Sequence, residues 1–161
     1  MKKNLIIYFS LTGNTDFIAK KLSRDLDADL LEIKTSLNFK KMRILKMIIG
    51  GAQVLLNISP KIEYESANID DYKTIVIGSP VWADFYAPAL KTFFQKERIS
   101  NKNIGLFVCC NGGEGRAIKE MEERLAGNKI LARAVFVDTL KNEKSIQEKC
   151  EVFLKELSEI N

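Results

Sequence analysis

Four short apolar runs constrain what this chain can fold into: Leu5–Phe9, Thr74–Gly78, Ile104–Cys110 and Ile130–Val137. Such runs are too short for helices and too continuous for strands with one wet face, so they read as strands buried on both sides. Each gives way to polar or glycine-rich residues and then to apolar positions at helical spacing. These are Phe17, Ile18, Leu22 and Leu26; then Leu90, Phe93 and Phe94; then Ile118, Met121 and Leu125; then Ile146, Cys150, Phe153 and Leu157. Pro88 suits the first turn of the second of these helices, and Gly127 closes the third. A fifth strand, Asp29–Lys34, carries polar residues at 29, 32 and 34 and belongs at a sheet edge; so does Ile130–Val137, which holds Arg133 among apolar neighbours. Strands alternating with helices imply an α/β fold: a parallel sheet with helices on both faces, joined by right-handed crossovers. No repeat or linker divides residues 1–161, so a single domain is expected.

The length of 161 residues is enough for one sizeable core, and the content of 46% hydrophobic and 29% charged residues is that of a globular chain. No apolar run approaches the roughly 20 residues that span a bilayer. Met1-Lys2-Lys3 leads straight into the first strand with no leader pattern. Three cysteines, two of them adjacent, do not form a secreted disulfide framework; a cytoplasmic setting is expected. Histidine is absent, which removes Ser–His, Cys–His and His–metal chemistry. A net charge of +4 is too mild to argue for nucleic acid.

The turn after the first strand, Ser10-Leu11-Thr12-Gly13-Asn14-Thr15, concentrates hydroxyls at a helix N-terminus, where free N–H groups and the helix dipole favour an anion. The same residue types serve equally as an N-cap, and composition does not separate the two uses. A Walker loop needs a lysine where Asn14 stands, and a dinucleotide fingerprint needs three glycines where only Gly13 is present. Hydroxyls and amides without a lysine suit one terminal phosphate monoester.

YFSLTGNT resembles the phosphate loop of the flavodoxins. GSPVWADFYAPALKTF and CCNGGEG are similar to their two later loops, so the resemblance spans the whole chain. It implies a flavodoxin-like, doubly wound five-stranded parallel sheet of order 2-1-3-4-5. In such a sheet ligands lie beyond the C-terminal strand ends, between strands 1 and 3. It also implies FMN as cofactor. Ser10, Leu11, Thr12, Gly13, Asn14 and Thr15 then fall on the phosphate positions. Pro80, Val81, Trp82, Ala83, Asp84 and Phe85 fall on the ring-binding loop, and Cys110, Asn111, Gly112, Gly113 and Gly115 on the third. Trp82 is expected to stack on the ring, and the glycines to let main-chain amides approach it. A tryptophan in the core rim and an ordinary turn before a helix are the plainer uses of the same residues.

Two departures from the family stand out. The charge of +4 contrasts with strongly acidic flavodoxins. The turn that is often glycine-containing reads Trp82-Ala83-Asp84, whose Cβ atoms resist positive φ. The expected function is electron transfer in the cytoplasm by an FMN protein with oxidoreductase chemistry. The partner is a redox protein or small electron acceptor, with no nucleic acid and no integral membrane association; a homodimer is compatible with the sequence. The alternatives are a small FMN-dependent NAD(P)H or quinone-type reductase, and a flavin-free interaction or signalling module. No catalytic or metal-binding residue is singled out. Cys109 and Cys110 point to opposite faces of a strand and read as packing residues rather than a redox pair. Asn38–Ile58, with Lys40, Lys41, Arg43 and Lys46 beside two apolar stripes and interrupted by Gly50-Gly51, reads as a helix covering the sheet; a membrane-surface or partner-binding helix is its other reading.

Overall fold

The computed structural model describes residues 2–35, 59–138 and 143–158. The expected helix at 38–58 lies outside the described residues. Strand β1 (Lys2–Phe9) is followed by helix α1 (Asn14–Leu26) and strand β2 (Asp29–Thr35). Then come β3 (Ile62–Glu63), a 3₁₀ turn at Ile69–Asp71, β4 (Tyr72–Trp82) and β5 (Phe85–Tyr86). The chain continues through α2 (Pro88–Lys96), β6 (Asn103–Cys110), α3 (Ala117–Arg124), β7 (Lys129–Val137) and α4 (Glu143–Ser158).

The sheet runs β3-β2-β1-β4-β6-β7, with β5 paired to β4. Its five long strands, β2-β1-β4-β6-β7, are parallel and reproduce the expected order. The two short strands are additions. β3 lies antiparallel against the end of β2 at Lys34↔Glu63 and Thr35↔Ile62, so β2 is not the outermost strand along its whole length. β5 turns the expected loop at 79–86 into a hairpin, because β4 does not stop at Gly78. Pro80 is tolerated inside β4 for a specific reason. Pairing with β1 ends at Tyr8↔Gly78 and pairing with β5 begins at Val81, so at Pro80 the strand pairs with β6 alone. A residue without an N–H fits where one flank is unpaired.

Alternation along the strands sorts the core into two layers. Leu5, Ile7, Phe9, Ile75, Ile77, Leu106 and Val108 face α2 and α3, meeting Leu90, Phe93, Ile118 and Met121. Ile6, Tyr8, Val76, Phe107 and Cys109 face α1 and α4, meeting Ile18, Leu22, Ile146, Cys150, Phe153 and Leu157. Phe17, expected on the α1 stripe, is 41% exposed, and Ala19 takes its place in the core. Two glycines make room for aromatic rings, Gly105 for one from α4 and Gly78 for one on the neighbouring strand β6. A Cβ at Gly105 would lie 2.8 Å from the Phe153 ring, and one at Gly78 only 2.1 Å from that of Phe107. At the sheet edge Arg133 is paired with Glu122 of α3.

Candidate functional site

Parallel strands connected by crossovers carry the β1, β4 and β6 loops to one edge of the sheet. The first loop leaves β1 at Ser10 and enters α1 through Gly13, at φ 95°. The Gly13 N–H donates to Ser10 Oγ at 3.2 Å, and the first helical bond runs from Phe17 N–H to the Gly13 carbonyl. No side chain caps the helix. Among the described residues, the N–H groups of Asn14, Thr15 and Asp16 have no acceptor. Thr15 is 1% exposed, and its hydroxyl has no partner there either. Buried polar groups are almost always paired, so an orphan hydroxyl beside three open N–H groups and the positive end of a helix is a built place for an anion. Of the two uses left open by composition, the side-chain cap is not made. Asp16, the one acid in the first turn, is drawn off: Tyr8 Oη donates to it at 2.7 Å and Lys20 Nζ lies 2.8 Å away. Burial and the carboxylate push the Tyr8 phenol well above its ordinary pKa, so it remains a donor.

The second loop is a tight hairpin. Val81 pairs with Tyr86 and Trp82 with Phe85, leaving Ala83 and Asp84 as a two-residue turn. Their φ values are 47° and 70°. Positive φ at both central residues is the signature of a type I′ turn, normally filled by Asn-Gly. The left-handed region, expected to be resisted here, is therefore occupied, at a cost of roughly 1–2 kcal/mol per non-glycine residue. Ser79, fully buried, ties the base: its hydroxyl donates to the Pro80 carbonyl and accepts from the Ala87 N–H, both at 2.9 Å. Trp82 is half-buried and meets Phe9 edge-on, with ring centroids 5.6 Å apart. Its place at the end of β4 keeps it at the loop edge of the sheet while part of it serves the core.

The third loop divides its glycines between two tasks. Around Gly112 and Gly113 there is open space. Gly115 is at φ 53°, and a Cβ there would lie 2.5 Å from Asp84 Cα. Only a glycine fits there, because the hairpin tip packs against it. The Gly112 N–H is engaged by the Cys110 sulfur. Burial raises the Cys110 pKa, and that bond lowers it part of the way back, so the thiol stays protonated at neutral pH. Cys109, Cys110 and Cys150 are all buried thiols, and burial pushes Cys150 up to about 11. Arg116, which sequence reasoning passed over, sets its guanidinium 4.4 Å from the centre of the Phe85 ring. The only sign of it in the sequence was its position directly after the glycine loop.

A cleft of about 430 Å³ between the ends of α2 and α3, lined by Arg98, Asn101 and Arg124 among others, opens at the opposite edge and contains none of these loops. Among the described residues there is no group of three or more His, Cys, Asp or Glu side chains able to hold a metal ion. No described helix is long and apolar enough to cross a membrane.

The same arrangement recurs in solved structures. A flavoprotein from Lactobacillus acidophilus, crystallised in complex with FMN, is 26% identical with a TM-score of 0.71, over 84% of this chain and 93% of that one. Oxidised flavodoxin 2 from Bacillus cereus is 23% identical with a TM-score of 0.63, over 98% of each chain. The flavodoxin of Streptococcus pneumonia TIGR4 is 17% identical with a TM-score of 0.59, over 96% of this chain and 97% of that one. These last two speak for the fold. No curated protein matches the sequence. The flavodoxin family pattern matches residues 3–152, nearly the whole chain, and the chain belongs to the flavodoxin family.

Proposed function

We propose that this protein binds FMN, with the phosphate at residues 10–15, and carries electrons in the cytoplasm between a redox protein or small acceptor and its donor. The observation that carries the reading is the uncapped N-terminus of α1, with the buried, unpartnered Thr15 hydroxyl beside it. A phosphate monoester would satisfy both. FMN in the Lactobacillus relative and the family membership support the choice of ligand. Trp82 and Phe85 are the aromatic residues at hand for the ring, and Asn111, Gly112 and Gly113 lie on the open side of the third loop. The bound flavin would supply the redox chemistry, and the chain supplies anchoring, shape and charge. The whole +4 surplus sits in Lys40, Lys41, Arg43 and Lys46; elsewhere the chain carries 21 basic and 21 acidic residues. The chain lacks the net negative charge that would steer a basic protein partner, which favours a small electron acceptor over the basic partners of an acidic flavodoxin.

A second reading, a small FMN-dependent NAD(P)H or quinone-type reductase, is favoured by the hairpin. Reversing the peptide between Ala83 and Asp84 would convert type I′ to type II′, whose first position belongs to glycine. A turn that resists this rearrangement does little to favour one-electron over two-electron reduction of its ligand.

The test of the FMN reading is a fluorescence titration of FMN and riboflavin against Thr15→Ala, alone and with Thr12→Ala. Each lost charge-assisted hydrogen bond should weaken FMN by about 10- to 150-fold and leave riboflavin, which lacks the phosphate, nearly unchanged. Equal losses for the two ligands would remove the phosphate from this loop.

A further inference from the structure

The turn at Ala83–Asp84 is held from outside. Its own ladder has only two pairs, Val81↔Tyr86 and Trp82↔Phe85, and both central residues stand in the left-handed region without glycine. Three contacts from the third loop meet it. The Arg116 N–H donates to the Asp84 carbonyl at 2.6 Å. Gly115 lies so close that any side chain there would overlap Asp84 Cα, Cβ and O. The Arg116 guanidinium covers the Phe85 ring at 4.4 Å, one residue beyond the turn. The first two contacts fix the main chain at the tip, and the third fixes the side chain that follows it. Arg116 also sits at the N-terminal boundary of α3, which packs on β5, so the rigid helix backs the contact.

We propose that Gly115 and Arg116 are the positioning residues of this turn: they clasp it in its left-handed form in the protein alone, so the ring-binding half of the site is shaped before flavin arrives. The proposal rests on the FMN reading for its ligand but not for its geometry. A clasp of this kind predicts that its loss acts on the ring end and not on the phosphate end. Weakening it should lower FMN and riboflavin affinity by the same factor, the opposite of the Thr15→Ala pattern.

The experiment uses the full chain with Gly115→Ala, Arg116→Gln and Arg116→Lys. Backbone amide hydrogen exchange without flavin comes first. Gly115→Ala should speed exchange at the Arg116 amide by tenfold or more. Arg116→Gln, an exposed change that keeps the main-chain bond, should speed it by about two- to fivefold, and Arg116→Lys should restore most of the protection. FMN and riboflavin titrations follow, and both ligands should weaken by equal factors in Gly115→Ala and Arg116→Gln, with Arg116→Lys again close to the wild type. Should Gly115→Ala fail to fold, Arg116→Gln decides. Wild-type exchange in Arg116→Gln, or a loss confined to FMN, overturns the clasp. If the wild-type protein bound neither flavin, the FMN reading would fall while the exchange data still decided the clasp.

Discussion

Replacing Gly78 by alanine should damage the protein severely for a single added methyl group. The new Cβ would sit 2.1 Å from one Phe107 ring carbon and 2.5 and 2.8 Å from two others. Carbon atoms rest about 3.5–4.0 Å apart, so the ring must retreat by more than 1 Å. It has little room, being fully buried and set edge-on against Phe136 at 6.0 Å. Overpacking of this kind costs roughly 1–3 kcal/mol, and disturbing the ring pair adds about 0.5–1.5 kcal/mol. We expect a loss of about 2–4 kcal/mol, read from the midpoint of urea unfolding at constant slope, with the melting temperature lower by roughly 5–15 °C. Phe107→Leu in the same chain should act as a suppressor: the double variant should be at least about 1 kcal/mol more stable than the sum of the two single effects. A Gly78→Ala protein within about 0.5 kcal/mol of the wild type, or strictly additive singles, would show that the ring does not occupy this space.

Two further outcomes follow from the structure. Trp82→Leu should restore part of the flavin fluorescence quenched on binding, since the indole is the large aromatic face at the site; unchanged quenching and affinity would place Trp82 wholly with Phe9 in the core rim. Burial and its bond to Glu97, 2.7 Å away, push Tyr64 up to about 12 from an ordinary 10. The folded state therefore holds this proton more tightly, and the stability so gained is complete below pH 10 and lost as pH rises toward 12. Tyr64→Phe should cost about 1 kcal/mol at neutral pH, and the gap from the wild type should narrow across that alkaline window in urea titrations; a constant gap would refute the link.

The strand core was legible because buried parallel strands leave continuous apolar runs, as in Leu5–Phe9 and Ile104–Cys110. The α4 stripe was legible because Ile146, Cys150, Phe153 and Leu157 all face the sheet. β3 was not, since two residues have no period to read. The hairpin was missed for two reasons: Ser79-Pro80 looks like loop punctuation, and Ala83-Asp84 is not a dipeptide that announces a type I′ turn. Phe17 was misplaced because an apolar residue one position off a stripe says nothing about whether the layer extends over it. At the site, hydroxyls and glycines marked out loops that the fold brings to one edge of the sheet, but not their division of labour. Ser79 and Gly115 serve the hairpin, and only three-dimensional proximity shows why.

The Ser79 hydroxyl, bonded to both Pro80 and Ala87, measures the hairpin as well as closing it. Six residues lie between its two anchors in the chain, and the Gly115 contact fixes where their midpoint must fall. Inserting or deleting one residue would break the knot at the base or move the tip off its seat. A substitution that tolerates the left-handed backbone at the tip changes neither spacing. Natural or laboratory variation of this wall should therefore proceed by exchanging residues at constant length, with the chemistry at the ligand edge free to drift while the spacing stays still.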